Sequence, residues 1–168
     1  ESTNDSVFVL ASGREDVEPV KFESSLEEVC ADLAEQMMFD AEGGTKVVRL
    51  RVTGAVDEEA AVDLGKAVAS SVLWRSAVYG GDPNWGRILS ALGVADRSLD
   101  LSSVRLAIGD EVLFADGNPC GDMAAAAAIM QARSYEVSCQ VGDGPGAAEV
   151  LTTDLSPEYV TLNAGGLS

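Results

Sequence analysis

A chain of 168 residues, 46% hydrophobic with 17 glycines and five prolines, is long enough to bury a core and reads as one globular domain over residues 1–168. Its 28 acidic side chains against 11 basic ones (net −17) repel phosphate backbones and anionic lipid, so no nucleic acid and no membrane is expected as a partner, while a cationic substrate is tolerated. With no histidine, the chain excludes within itself a Ser-His-Asp triad, a Cys-His pair and any histidine-ligated metal; a carboxylate, a lysine or an α-amine is left as the base for acyl or proton transfer.

No apolar run reaches the length of a membrane span, and no basic-then-apolar leader precedes Glu1. Cys30, Cys120 and Cys139 are odd in number, far apart and without a CxxC pair, which predicts reduced, mostly buried thiols in a cytoplasmic protein. In chain order, Ser6 to Ala11 (SVFVLA) reads as a short buried strand. Ser25 with Glu28 forms a capping box for a helix to about Phe39, with Leu26, Val29, Cys30, Leu33, Met37 and Met38 at helical spacing. Lys46 to Thr53 alternates cleanly, setting Val48, Leu50 and Val52 on one face and Arg49, Arg51 and Thr53 on the other. Two arginines on one strand face suit an anion or, more plainly, a solvated surface.

Asp57 caps a long helix whose apolar stripe is Ala61, Leu64, Val68 and Val72. In the stretch GGDPNWGRILSALG (Gly80 to Gly93), Asp82-Pro83 makes a turn and Asn84 caps a helix from Trp85 to Leu92 closed by Gly93. Arg87 in that helix's first turn opposes the macrodipole and is expected to pair with a carboxylate. Val104 to Ile108 and Glu111 to Phe114 form a hairpin across Gly109-Asp110, and Asp122 opens an alanine-rich helix to about Ala132. Tyr135 to Val141 and Ala147 to Thr152 read as two more strands, joined as a hairpin by the loop Gly142 to Gly146, which lacks any phosphate-binding spacing. The fold class expected is α/β (α+β), with mixed sheets, hairpins and packed helices rather than an all-parallel doubly wound sheet.

Two further segments carry chemistry. In DAEGGTK (Asp40 to Lys46), a glycine pair beside Glu42 removes steric cover and leaves a carboxylate accessible at a helix-to-strand junction. That suits an ammonium receptor and equally a helix stop with a solvated Glu. The tail from Tyr159 to Ser168 is apolar at Val160 and Leu162 and, read locally, is a frayed end.

STNDSVFVLASG at Ser2 to Gly13, DAEGGTK, GGDPNWGRILSALG and TTDLSPEYVTLNAGGLS, in this order, resemble the β chain of the ornithine acetyltransferase family (glutamate N-acetyltransferase of arginine biosynthesis), over essentially the whole chain. The resemblance implies an ArgJ/DmpA-like fold and a precursor that cleaves itself before a threonine. That threonine is the nucleophile, with its own α-amine available as base, and carries acetyl from N-acetylornithine to glutamate with release of ornithine. It implies substrate-binding roles for Glu42, Asn163 and Ser168, a structured and buried tail, an α chain as partner in an α₂β₂ heterotetramer, and no cofactor or metal, acetyl-CoA being a possible acetyl donor. Asp82 and Arg87 are structural in this reading. The nucleophilic threonine is expected upstream of Glu1, so no catalytic residue is assigned within the chain, and Ser2 and Thr3 belong to the STND motif. Gly166 stands where the family usually has a tyrosine. Two other readings remain: an amidase or aminopeptidase of the same N-terminal-nucleophile logic, and a non-catalytic amino-acid-binding or structural subunit.

Overall fold

The alternating run becomes the central strand of the molecule. In the computed structural model, which describes residues 6–164, β1 (Val47–Ala55) buries Val48, Leu50 and Val52 completely and turns Arg49 and Arg51 to the opposite face. On one side β5 (Ser134–Gln140) runs parallel to it, and on the other β6 (Gly146–Thr153) runs antiparallel. Beyond β5 the sheet continues through β2 (Arg105–Ile108), β3 (Glu111–Ala115) and β4 (Asn118–Pro119), giving the order β4-β3-β2-β5-β1-β6. The fold is mixed α/β, as the sequence predicts.

Helices cover one face of this sheet. In α2 (Glu58–Ala69), Asp57 accepts a hydrogen bond from the Ala60 amide, and Ala61, Leu64 and Val68 are buried against β1 and β6. α4 (Trp85–Ala95) packs beside α2, and α5 (Met123–Ile129), capped by Asp122, lies against β3. The apolar sides of β1, β5 and β2 form one core with Trp74, Ile88, Leu92 and Met130. On the opposite face Arg49 is held between Glu35 and Glu149, and Arg51 lies 3.3 Å from Glu136 and 3.5 Å from Glu149. Burial works against the Arg49 charge, but the hydrogen bonds and fields of Glu149 and Glu35 outweigh it and raise its pKa. Both arginines are thus paired with carboxylates, which favours the solvated-surface reading of this face over an anion site.

Several local expectations are corrected. Residues 6–11 form no strand: Val7, Phe8 and Leu10 are 80%, 85% and 95% exposed, and no described strand pairs with them. An apolar run marks a surface to be covered, not the element that covers it. The first helix, α1 (Pro19–Phe39), starts six residues before the capping box, because proline is already suited to a first helical turn, and none of its residues is fully buried. The predicted stripe through Val72 breaks at Ser71, whose hydroxyl accepts from the Trp74 amide and starts a separate helix, α3 (Val72–Gly80). Gly93 does not close α4, which runs on to Ala95; α5 stops at Ile129, short of Ala132. Arg87 donates to the carbonyl of Leu73 at 2.6 Å, so a backbone oxygen takes the place of the expected carboxylate.

The loop Gly142 to Gly146 is not a hairpin connection. β1 lies between β5 and β6, so the loop crosses the end of β1. Close approach is what the glycines supply: a Cβ on Gly144 would lie 2.0 Å from the carbonyl oxygen of Ala55.

The chain divides into two units, Glu1–Ala34 and Glu35–Ser168. In the first, residues 6–18 lack regular structure and lead into the first turns of α1. The second holds the end of α1, the sheet and the remaining helices. No described helix is long and apolar enough to cross a membrane.

Candidate functional site

At the end of α1, the chain must turn from a helix into the central strand within a few residues. Gly43, at φ +68°, and Gly44, whose amide donates to the carbonyl of Ala41 at 3.0 Å, make that turn. Glu42 stands exposed at its tip. Arg133 tethers the helix end, donating to the Phe39 carbonyl at 2.8 Å and lying 5.3 Å from the Phe39 ring centre.

The tail does not fray at Tyr159. It forms α6 (Pro157–Ala164), an exposed helix, so the part of the tail that is described is structured without being buried. A Cβ on Gly43 would lie 2.4 Å from the Tyr159 amide nitrogen and 2.7 Å from its Cα, so loop and helix touch backbone to backbone. Asn163, one turn further along α6, is exposed and donates to the Tyr159 carbonyl at 2.9 Å. The fold therefore gathers the Glu42 loop and the Asn163 helix at one place. Ser168 and Gly166 lie outside the described residues, as do Ser2 and Thr3.

Beneath this contact lies a polar layer that the sequence reading passes over. Asp154, 1% exposed, accepts from the Thr45 amide at 2.7 Å, the Lys46 amide at 3.0 Å and the Thr45 hydroxyl at 2.6 Å. Arg75, from α3, donates to the Thr153 carbonyl at 2.8 Å, the Thr153 hydroxyl at 3.2 Å and the Asp154 carbonyl at 3.3 Å. Ser156 donates to the Gly43 carbonyl and accepts from the Tyr159 amide. Burial, and after it the field of Asp154, pushes the Tyr135 phenol above its ordinary pKa. Nothing local distinguishes Asp154 or Arg75 in the sequence, since their partners lie 109 and 78 residues away.

Elsewhere, a groove of about 270 Å³ lined by Val56, Leu64, Asp96 and Asp100 holds two carboxylates. Hydrogen bonds from the side chain and backbone of Ser98, and likewise of Ser102, hold them below the usual range. These are self-contained turns. Among the described residues, no group of three or more Cys, Asp or Glu is arranged to hold a metal.

The family model described as the ArgJ family matches residues 1–166. The chain belongs to the ArgJ family. It is 39% identical over 165 residues to the arginine biosynthesis bifunctional protein ArgJ of Thermobifida fusca, covering 97% of this chain and 43% of that protein. A glutamate N-acetyltransferase of Methanopyrus kandleri is 38% identical over 174 residues, covering 98% of this chain and 45% of that protein. The chain thus spans under half the length of these curated ArgJ relatives. The crystal structure of the arginine biosynthesis bifunctional protein ArgJ from Bacillus halodurans matches with a TM-score of 0.91 at 35% identity, covering 98% of this chain and 82% of that one.

Proposed function

We propose that this chain is the β-chain part of a glutamate N-acetyltransferase that moves acetyl from N-acetylornithine to glutamate. The observation that carries the reading is the contact of the Glu42 loop with α6 in a chain of ArgJ fold. An exposed carboxylate there is suited to the side-chain ammonium of the donor, and Asn163 one turn away offers an amide to its polar groups. Ser168 would hydrogen-bond the substrate's polar end. The surplus of acidic side chains favours a substrate that presents a cation.

The chemistry belongs to a threonine upstream of Glu1. Its hydroxyl oxygen attacks the acetamide carbonyl, the C–N bond breaks, and ornithine leaves with the proton on its amine. The α-amine of glutamate then attacks the acetyl ester, the C–O bond breaks, and the threonine hydroxyl regains its proton. A terminal α-amine serves as base, so the absence of histidine costs the mechanism nothing. No cofactor is required, and acetyl-CoA would serve as an alternative donor. An α chain completes the site in an α₂β₂ assembly in the cytoplasm; the exposed apolar side chains Phe8 and Leu10, and those of Phe22 and Val29 on α1, are the kind of surface a partner polypeptide covers.

Intact-mass measurement of the native protein incubated with N-acetylornithine tests the reaction. A threonine-initiated chain gaining about 42 Da, one acetyl group, is expected; no gain refutes transfer through an acyl-enzyme. Glu42→Ala tests the site. Loss of a charge-assisted hydrogen bond should lower kcat/KM for N-acetylornithine about tenfold or more with the fold intact, and unchanged kinetics would remove Glu42 from the site.

A further inference from the structure

Burying a carboxylate is costly unless hydrogen bonds compensate it, and Asp154 spends both its oxygens on one short stretch, Thr45 and Lys46. Arg75 holds the adjoining end of β6 through three acceptors on Thr153 and Asp154, and its guanidinium lies 5.8 Å from the centre of the Tyr159 ring. Leu155, between them, donates its amide to the Arg75 carbonyl at 3.0 Å. Ser156, 2% exposed, then joins Gly43 to the first turn of α6 with one hydroxyl. The loop on which Glu42 sits is therefore tied at three points (Gly43, Thr45 and Lys46) to the segment from which α6 grows.

We propose that Ser156, Asp154 and Arg75 are positioning residues that fix the distance between Glu42 and the rest of the acyl-amino-acid site, and so set the length of ammonium side chain the enzyme accepts. The inference rests on Glu42 receiving the substrate's ammonium. A carboxylate on a free loop would follow a longer side chain outward and accept three- and four-methylene amines alike. One tied down on both sides favours a single length, because the wrong length leaves an ion pair stretched or a chain compressed. Arg75 suits the task better than lysine would, since a planar fork can hold three acceptors in fixed directions.

The test uses the full enzyme with its partner chain and two donors, N-acetylornithine and Nα-acetyllysine, in wild type, Ser156→Ala, Arg75→Lys and Glu42→Gln. Ser156→Ala removes one bond to Gly43 and the cap on α6. It should lower the ratio of kcat/KM between the two donors about fivefold, the equivalent of one hydrogen bond, chiefly through KM for the shorter donor. Arg75→Lys should change the ratio in the same direction. A merely structural role would depress both donors equally and leave the ratio where it was, and that result in Ser156→Ala overturns the proposal even if Arg75→Lys fails to assemble. Glu42→Gln separates the two layers of the argument. Undiminished turnover of N-acetylornithine in that variant sinks the site assignment itself, whereas impaired turnover beside an unchanged ratio in Ser156→Ala sinks only the positioning role.

Discussion

Gly43→Ala puts a single methyl group into the contact that joins the Glu42 loop to α6. The added methyl would meet the Tyr159 amide nitrogen at 2.4 Å, its Cα at 2.7 Å and the Glu158 carbonyl carbon at 3.0 Å, all backbone atoms that no rotamer change can move aside. Ordinary contact requires loop and helix to part by about 1 Å, enough to break the hydrogen bond from Ser156 to the Gly43 carbonyl, which is worth about 1 kcal/mol. The left-handed backbone at φ +68° adds roughly 1–2 kcal/mol for a residue with a Cβ. Together these predict a loss of about 2–3 kcal/mol, concentrated at α6. Urea denaturation measures the global part, and amide hydrogen exchange across residues 157–164 measures the local part. A variant within about 0.5 kcal/mol of wild type, with α6 exchange unchanged, would refute the reasoning that loop and helix are pressed backbone to backbone.

Three further outcomes follow from the fold. Asp57→Ala removes the acceptor for the Ala60 amide at the start of α2 and should cost about 1 kcal/mol in urea denaturation, with Asp57→Ser recovering most of it. The Cys139 thiol, wholly buried, is pushed up from 9.0 to about 12 by burial. Its folded pKa lies above the unfolded one, so the stability it contributes is complete below pH 9 and declines as pH rises towards 12, at about 1.4 kcal/mol per unit. Stability measured between those limits should fall less steeply in Cys139→Ala than in wild type. In the native protein Cys139 should resist alkylation at pH 8 while the exposed Cys120 reacts.

What was legible in the sequence was whatever is enforced within a few residues. The two-residue period of Val48, Leu50 and Val52, the caps Asp57, Asn84 and Asp122, and the turn at Gly109-Asp110 each carry their cause beside them, and each stands in the fold. The errors share a different origin. Gly142 to Gly146 has the composition of a hairpin, and only the insertion of a strand formed some ninety residues earlier makes it a crossing loop. Residues 6–11 have the apolarity of a strand without a described neighbour to pair with. Asp154 looks like one more surface acid until Thr45 is folded against it. Glu42 is marked locally by the glycine pair beside it and Asn163 only by resemblance, and their proximity is a property of the packed chain alone.

The placement of β1 has a consequence for how the molecule comes into being. Its two neighbours are contributed by residues 134–140 and 146–153, so the centre of the sheet joins segments about ninety to a hundred residues apart. Such contacts exact their loop-closure entropy before they return any stability. During synthesis Val48, Leu50 and Val52 must wait without strand partners until residues 134–153 have been made. The middle of the sheet is therefore among the last parts to close, and any fragment ending before Ser134 leaves its central strand with both edges open.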